Sequence, residues 1–319
     1  MFYFTRVLLV IFVMQSLLFA STNKEKKLAY IVSDISIPFW EIMSKGIKSQ
    51  AKELGYKVEI LSSNNDKKTE LSSVAKAIQD NVDGIIISPI TSSSCVTVLK
   101  LAKNANIPVV ISDIGADNGE YLSFISSNNF DGAYNLGLTL AKTMKDKNIA
   151  DGSVGIISIP QQRTNGKQRT AGFVKALDEY GIKTADIKQQ VDFSYEETYL
   201  FSKELILKYP NIKALWLQGS DKYQGALDAI KELGYENKIL LITFDAEPEF
   251  LDMIPKGILV AAAMQQPYLM GEYAVINMDK HKNNQKVDRF IELPVLTVHS
   301  LNIDELLPII QKNVLGIEN

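Results

Sequence analysis

Ten side chains stand just beyond the ends of apolar runs, and their types suit one task, holding a small polar molecule. Asp34, Phe39 and Trp40 follow the run at 28–32, Asp113 follows 108–112, and Arg163 and Arg169 follow 153–158. Phe193 follows 186–191, Asp221 follows 214–217, Asp245 follows 239–243, and Gln265 follows 258–263. Carboxylates accept from hydroxyls, a guanidinium donates in a fork, and an amide does both. Phe39, Trp40 and Phe193 offer faces for an apolar C–H surface.

Catalytic signatures are absent. The only histidines are His281 and His299, neither beside a plausible nucleophile, so a Ser-His-Asp arrangement has little to build on. No phosphate-binding glycine loop opens a helix after a strand, and no Cys/His spacing suits a metal. The expectation is a binding protein with no enzymatic activity, no cofactor and no metal.

Each candidate also has a structural role open to it. Asp113 fits a local turn, and Asp245, ahead of Ala246-Glu247-Pro248, fits a helix cap. Arg169 fits a solvated helix face. Phe39 and Trp40 begin an amphipathic helix and fit its core. Gln265 fits a support for the chain around it. The binding reading rests on their convergence, because ligands of open parallel sheets sit beyond the carboxyl ends of the strands.

The elements that would position these residues alternate along the chain. The run at 28–32 reads as a buried strand. Pro38 pre-sets a helix start, and Phe39, Ile42, Met43, Gly46, Ile47, Ala51 and Leu54 recur at helical spacing. Gly55 suits the helix end. Further strands are predicted at 57–61, at 84–88 and at each of the other runs named above. Helices are predicted at 67–79, 167–180, 195–209, 222–233 and 268–280. Such alternation predicts parallel sheets covered on both faces. There are too many units for one comfortable sheet, so two half-size sheets are expected. Asn128-Asn129 and Gln265-Gln266-Pro267 are candidate crossings between them.

The first twenty residues read as a secretory signal peptide, with Arg6, an apolar run, and Ala20 before the cut. That run is shorter than the ~20 residues that span a bilayer. The rest of the 319-residue chain has room for two domains. A formal net charge of −3 gives no reason to expect nucleic acid or an anionic membrane as partner. The single Cys95 cannot form an internal disulfide, which fits a bacterial periplasm.

Ile37-Pro38-Phe39-Trp40, Val82-Asp83-Gly84-Ile85-Ile86-Ile87-Ser88-Pro89 and Asn106-Ile107-Pro108-Val109-Val110 with Asp113 carry a family resemblance. So do Arg169-Thr170-Ala171-Gly172-Phe173, Gly225-Ala226-Leu227, Thr243-Phe244-Asp245 and Gln265-Gln266-Pro267. Over about 28–298 the chain resembles the periplasmic ribose-type binding proteins, whose fold is shared with the ligand-binding domains of LacI-type repressors. A signal peptide in place of a DNA-binding segment argues against a repressor. The resemblance implies an α/β fold of two doubly wound parallel-sheet lobes joined by three short crossings. It implies lobes at 28–127 plus 266–295 and 128–265 plus 296–319. It also implies that Phe39 and Trp40 flank the ligand and that Asp113, Arg169, Phe193, Asp245 and Gln265 contact it. The family's ribose binders have polar residues at the positions of Ile37, Ile114 and Gly219, so ribose itself is not the expected ligand. A monomer is expected, closing by hinge motion over a sugar-like molecule. Its partner is either an inner-membrane ABC permease or a membrane sensor such as a chemoreceptor or histidine kinase.

Overall fold

The structure, a computed structural model, describes residues 25–317; the signal-peptide reading lies outside the described residues. Two six-stranded sheets form the frame of the molecule. The first half runs β1 (Lys26–Val32), α1 (Pro38–Glu53), β2 (Tyr56–Ser62), α2 (Lys67–Gln79), β3 (Gly84–Ser88), α3 (Ser92–Asn104), β4 (Val109–Ser112) and β5 (Ser123–Ser127). The second runs α4 (Asn129–Asp146), β6 (Ser153–Ser158), α5 (Thr164–Glu179), β7 (Lys183–Gln189), α6 (Tyr195–Lys208), β8 (Ile212–Leu217), α7 (Tyr223–Glu232), β9 (Leu240–Phe244), α8 (Phe250–Met253) and β10 (Ala261–Met264). The chain then returns through α9 (Pro267–Lys282) and β11 (Phe290–Leu293), and ends in β12 (Leu296–His299), α10 (Ile303–Ile309) and a π-helical turn, Ile310–Val314.

Strand order is β11-β5-β4-β3-β1-β2 in one lobe and β12-β10-β9-β8-β6-β7 in the other, the same order twice. Both faces of each sheet are covered, so the strands are apolar on both sides. In β1, Leu28, Tyr30 and Val32 enter one core cluster while Ala29 and Ile31 enter another. The second lobe likewise has two clusters. In one of them the fully buried Trp216 of β8 stacks on Phe173 of α5, with ring centroids 3.9 Å apart. That stack fixes α5, which carries much of the site, to its sheet.

The chain passes between the lobes at three places: after β5, after β10, and at Pro294-Val295 between β11 and β12. The crossings are tied together. Asn128 N–H donates to the Leu293 carbonyl at 2.9 Å, and the Gln266 side chain donates to the Pro294 carbonyl at 2.9 Å.

The expected alternation fails in two places. β4 and β5 pair in parallel although no helix joins them, and β12 runs antiparallel to β10. Two strand boundaries also shift. β7 is Lys183–Gln189 rather than 186–191, because its polar KTADIKQ sequence lies at a half-exposed sheet edge. β10 begins at Ala261, since Ile258 is nearly half exposed in the preceding turn. Among the described residues no helix is long and apolar enough to cross a membrane.

Candidate functional site

The carboxyl ends of the strands of both sheets converge on one cleft. Nine of the ten sequence candidates line it: Phe39, Trp40, Asp113, Arg163, Arg169, Phe193, Asp221, Asp245 and Gln265. Asp34 does not. Its Oδ1 accepts from the Ser36 N–H and hydroxyl at 3.0 and 2.7 Å, and its Oδ2 accepts from Asn65 at 3.1 Å. Both oxygens are spent on a turn, which corrects the binding expectation for this residue.

Asp113 and Asp245 occupy matching places in the two lobes. Each directly follows the fourth strand of its lobe, and each donates its N–H to the neighbouring strand at 2.9 Å, to Ile125 and Ala263 respectively. Each also has positive φ, 70° and 69°. Among the described non-glycine residues with positive φ, six are asparagines, which tolerate that region; the other three are Asp113, Phe193 and Asp245. Aspartate tolerates that region as asparagine does, so the backbone strain falls on Phe193, at the cleft. Phe193, at φ 52°, is held by Glu197, whose carboxylate accepts from the N–H groups of Val191, Asp192 and Phe193 at 2.7–3.1 Å.

Helix α5 supplies the polar wall. Asn165 and Arg169 sit four residues apart and share a face. Asn165 reaches across the cleft to donate to Asp113 Oδ1 at 3.3 Å. Arg169, only 3% exposed, donates from Nε to Asn129 Oδ1 at 2.8 Å and from Nη1 to the Gln218 carbonyl at 2.7 Å. The same Nη1 lies 3.5 Å from Asp245 Oδ2, and the guanidinium covers the Phe244 ring at 3.9 Å. Gln265 donates to Asp245 Oδ1 at 2.6 Å, and its buried Oε1 has no hydrogen-bond partner among the described residues. That leaves one acceptor for a bound hydroxyl.

Burial dominates the electrostatics. It pushes the Asp113 carboxyl up to about 6, against the opposing charge of Arg169 and with help from Asp245. Burial also raises Asp245 and brings Arg163 down to about 10, where it remains a cation at neutral pH. Glu247, missed by the sequence reading as a site residue, lines the cleft and accepts from Ser220 at 2.8 Å. Burial, with the charges of Asp221 and Asp245 adding to it, raises its pKa to about 7. A carboxyl raised on folding costs stability once the unfolded chain would ionise it. The penalty is absent below about 4.5 and complete above about 7. Glu247→Gln should therefore melt higher than wild type at pH 8, by on the order of 1–3 kcal/mol in stability, and about equal to it at pH 4. Parallel pH profiles of the two melting temperatures would refute this.

Two of the apolar departures, Ile37 and Gly219, line the cleft. The third does not: Ile114 is fully buried in the first lobe's core. Asn165 was also missed, although its spacing from Arg169 was a usable signal. Val314 reaches the cleft from the C-terminal turn, and nothing local in the sequence announces that.

The periplasmic binding protein domain matches residues 28–286, nearly the whole of the described chain. The chain belongs to this family. The ribose import binding protein of Bacillus subtilis is 30% identical over 277 residues, covering 86% of this chain and 88% of the relative. The D-ribose/D-allose-binding protein of Pseudomonas aeruginosa is 30% identical over 257 residues, covering 77% and 79%. Among solved structures, an Agrobacterium radiobacter carbohydrate transporter solute-binding protein in complex with D-arabinose superposes with a TM-score of 0.83 at 24% identity. It covers 92% of this chain and 99% of its own. An Actinobacillus succinogenes ABC transporter solute-binding protein with bound D-allose gives 0.80 at 21% identity, with coverage of 88% and 100%. Periplasmic binding proteins of this kind bind solutes and perform no chemistry on them, and the family places this chain in the periplasm.

Proposed function

We propose that this protein captures a sugar or sugar-like polyhydroxylated molecule between its lobes and delivers it to an inner-membrane ABC permease. The observation that carries this reading is the pair Asp113 and Asp245. They are matching carboxylates, one from each lobe, aimed into one cleft with Arg169 between them and aromatic rings at its edge. Hydroxyls that donate to two aspartates while accepting from arginine are what such a set satisfies. The ligand-binding residues are Phe39, Trp40, Asp113, Arg163, Arg169, Phe193, Asp221, Asp245 and Gln265.

The signal peptide at 1–20 is removed on export and the mature protein works as a monomer. The lobes are 28–127 plus 266–295 and 128–265 plus 296–319. They open and close about the three crossings, and the ligand shifts the balance through its better contacts in the closed form. The permease reads the closed shape. Ribose fits poorly, because Ile37 and Gly219 offer no hydrogen bond on the walls they form.

A thermal-shift screen over pentoses, hexoses and polyols tests this. A true ligand at about 100 times its Kd adds about 2.7 kcal/mol of stability by mass action. That raises the melting temperature by several degrees, and calorimetry then gives the Kd. A panel with no hit in either assay would overturn the carbohydrate reading.

A further inference from the structure

Arg163 precedes α5 in the second lobe, yet its side chain is engaged with the first. It is 5% exposed, and its Nε donates to the Ile90 carbonyl at 3.1 Å. Its guanidinium lies over the Trp40 ring of the first lobe at 5.5 Å and over the Phe193 ring of the second at 5.4 Å. Ile90 is held firmly to receive it, because its own N–H donates to the buried Glu70 carboxylate at 2.7 Å. Next to it, the Thr164 hydroxyl meets that of Ser92 at 3.1 Å. These contacts are a built seat for one cation, between two rings that a ligand ring would otherwise use.

We infer that Arg163 sets the specificity of the cleft: it occupies the space between Trp40 and Phe193 and presents its terminal nitrogens to the ligand beside Asp113. This rests on reading the cleft as a polyol site. Neither terminal nitrogen of Arg163 is hydrogen-bonded among the described residues, and Asp113 is close enough for their charges to interact. A hydroxyl placed there accepts from Arg163 and donates to Asp113. The ligand is a compact polyol gripped at its edges, touching Trp40 and Phe193 only where Arg163 leaves them free, with Phe39 the aromatic face that Arg163 does not cover. A hexose whose extra hydroxymethyl group must reach between Trp40 and Phe193 is excluded by the guanidinium already there. A cation between the buried Trp40 ring and the half-buried Phe193 ring is stable enough to hold this place without ligand.

Two measurements separate this from the polyol reading on which it rests. The first needs no ligand. The chain has two tryptophans, so a Trp216→Phe background, excited where tyrosine does not absorb, leaves Trp40 as the only tryptophan emitter. In that background Arg163→Ala should raise acrylamide quenching of Trp40 at least twofold; unchanged quenching overturns the inference. Should circular dichroism show that Arg163→Ala does not fold, Arg163→Gln takes its place with the same expectation at smaller size. The second is calorimetry with D-ribose and D-allose as probes. Arg163→Ala should raise the affinity for D-allose relative to D-ribose at least fivefold. An unchanged ratio with binding intact overturns the specificity role. If neither these sugars nor any member of the thermal-shift panel binds, the polyol reading fails, and the quenching result alone decides whether Arg163 holds the slot.

Discussion

Arg169→Met yields a folded protein whose affinity for the sugar that stabilises wild type is lower by about 100-fold or more. The expectation follows from what the side chain joins. Its guanidinium ties Asn129, at the first crossing, to the Gln218 carbonyl beyond β8 and to Asp245 beyond β9. Methionine fills much of the volume but donates nothing. The Asn129 oxygen and the Gln218 carbonyl lose a charged donor, and Asp245 loses its counter-ion in a buried place. Breaking a buried pair from one side costs about 3–5 kcal/mol, and about 3 kcal/mol is a hundredfold in Kd. Part of that loss falls on stability, so the melting temperature drops as well. Arg169→Lys separates the two effects. Lysine keeps the charge near Asp245 but lacks the planar fork, so it should recover stability and little of the affinity. Calorimetry showing wild-type Kd in the Met variant would remove Arg169 from the site.

The fold was legible where strands are buried on both faces. Gly84–Ser88 is apolar up to its last residue, and a short buried run flanked by helical periodicity can be little else. It was not legible at the sheet margins. β5, β11 and β12 are only four or five residues long, and β5 is mostly serine, so their runs are too short to stand out. The site was legible through one rule, that polar groups just past parallel strands face a common cleft. The rule fails for Asp34 because residue type alone cannot say whether a turn will consume both carboxylate oxygens. It also says nothing of Ile114, which follows Asp113 directly yet turns into the core. Arg163 fell within the rule, but its position over rings from both lobes did not. That depends on how two separately folded sheets face each other, which no local pattern encodes.

Gly172→Ala should lower the melting temperature by roughly 2–6 °C and weaken ligand binding with it, although the residue is helical. On a free helix surface the change would stabilise by about 1 kcal/mol, since alanine is the better helix former. Here a methyl group at this position would come 2.2 Å from the Phe130 carbonyl oxygen of α4 and 3.1 Å from the Tyr134 nitrogen. Both are backbone atoms and cannot rotate away. The same close approach recurs one step along the helix pair, where a methyl on Gly137 would meet Ala176 at 2.8 Å and the Phe173 carbonyl at 3.0 Å. The two glycines let α4 and α5 touch backbone to backbone, so relief requires the helices to part. Overpacking of this kind typically costs about 1–3 kcal/mol, enough to outweigh the gain in propensity. The functional consequence follows from what the two helices carry. Asn129 opens α4 and Arg169 lies one turn before Gly172 on α5, and their 2.8 Å hydrogen bond crosses the same seam. Parting the helices stretches that bond and moves Arg169 away from Asp245, so stability and affinity fall together. A higher melting temperature in the alanine variant would mean that the helix contact yields easily, and that the seam does not hold Arg169 in place.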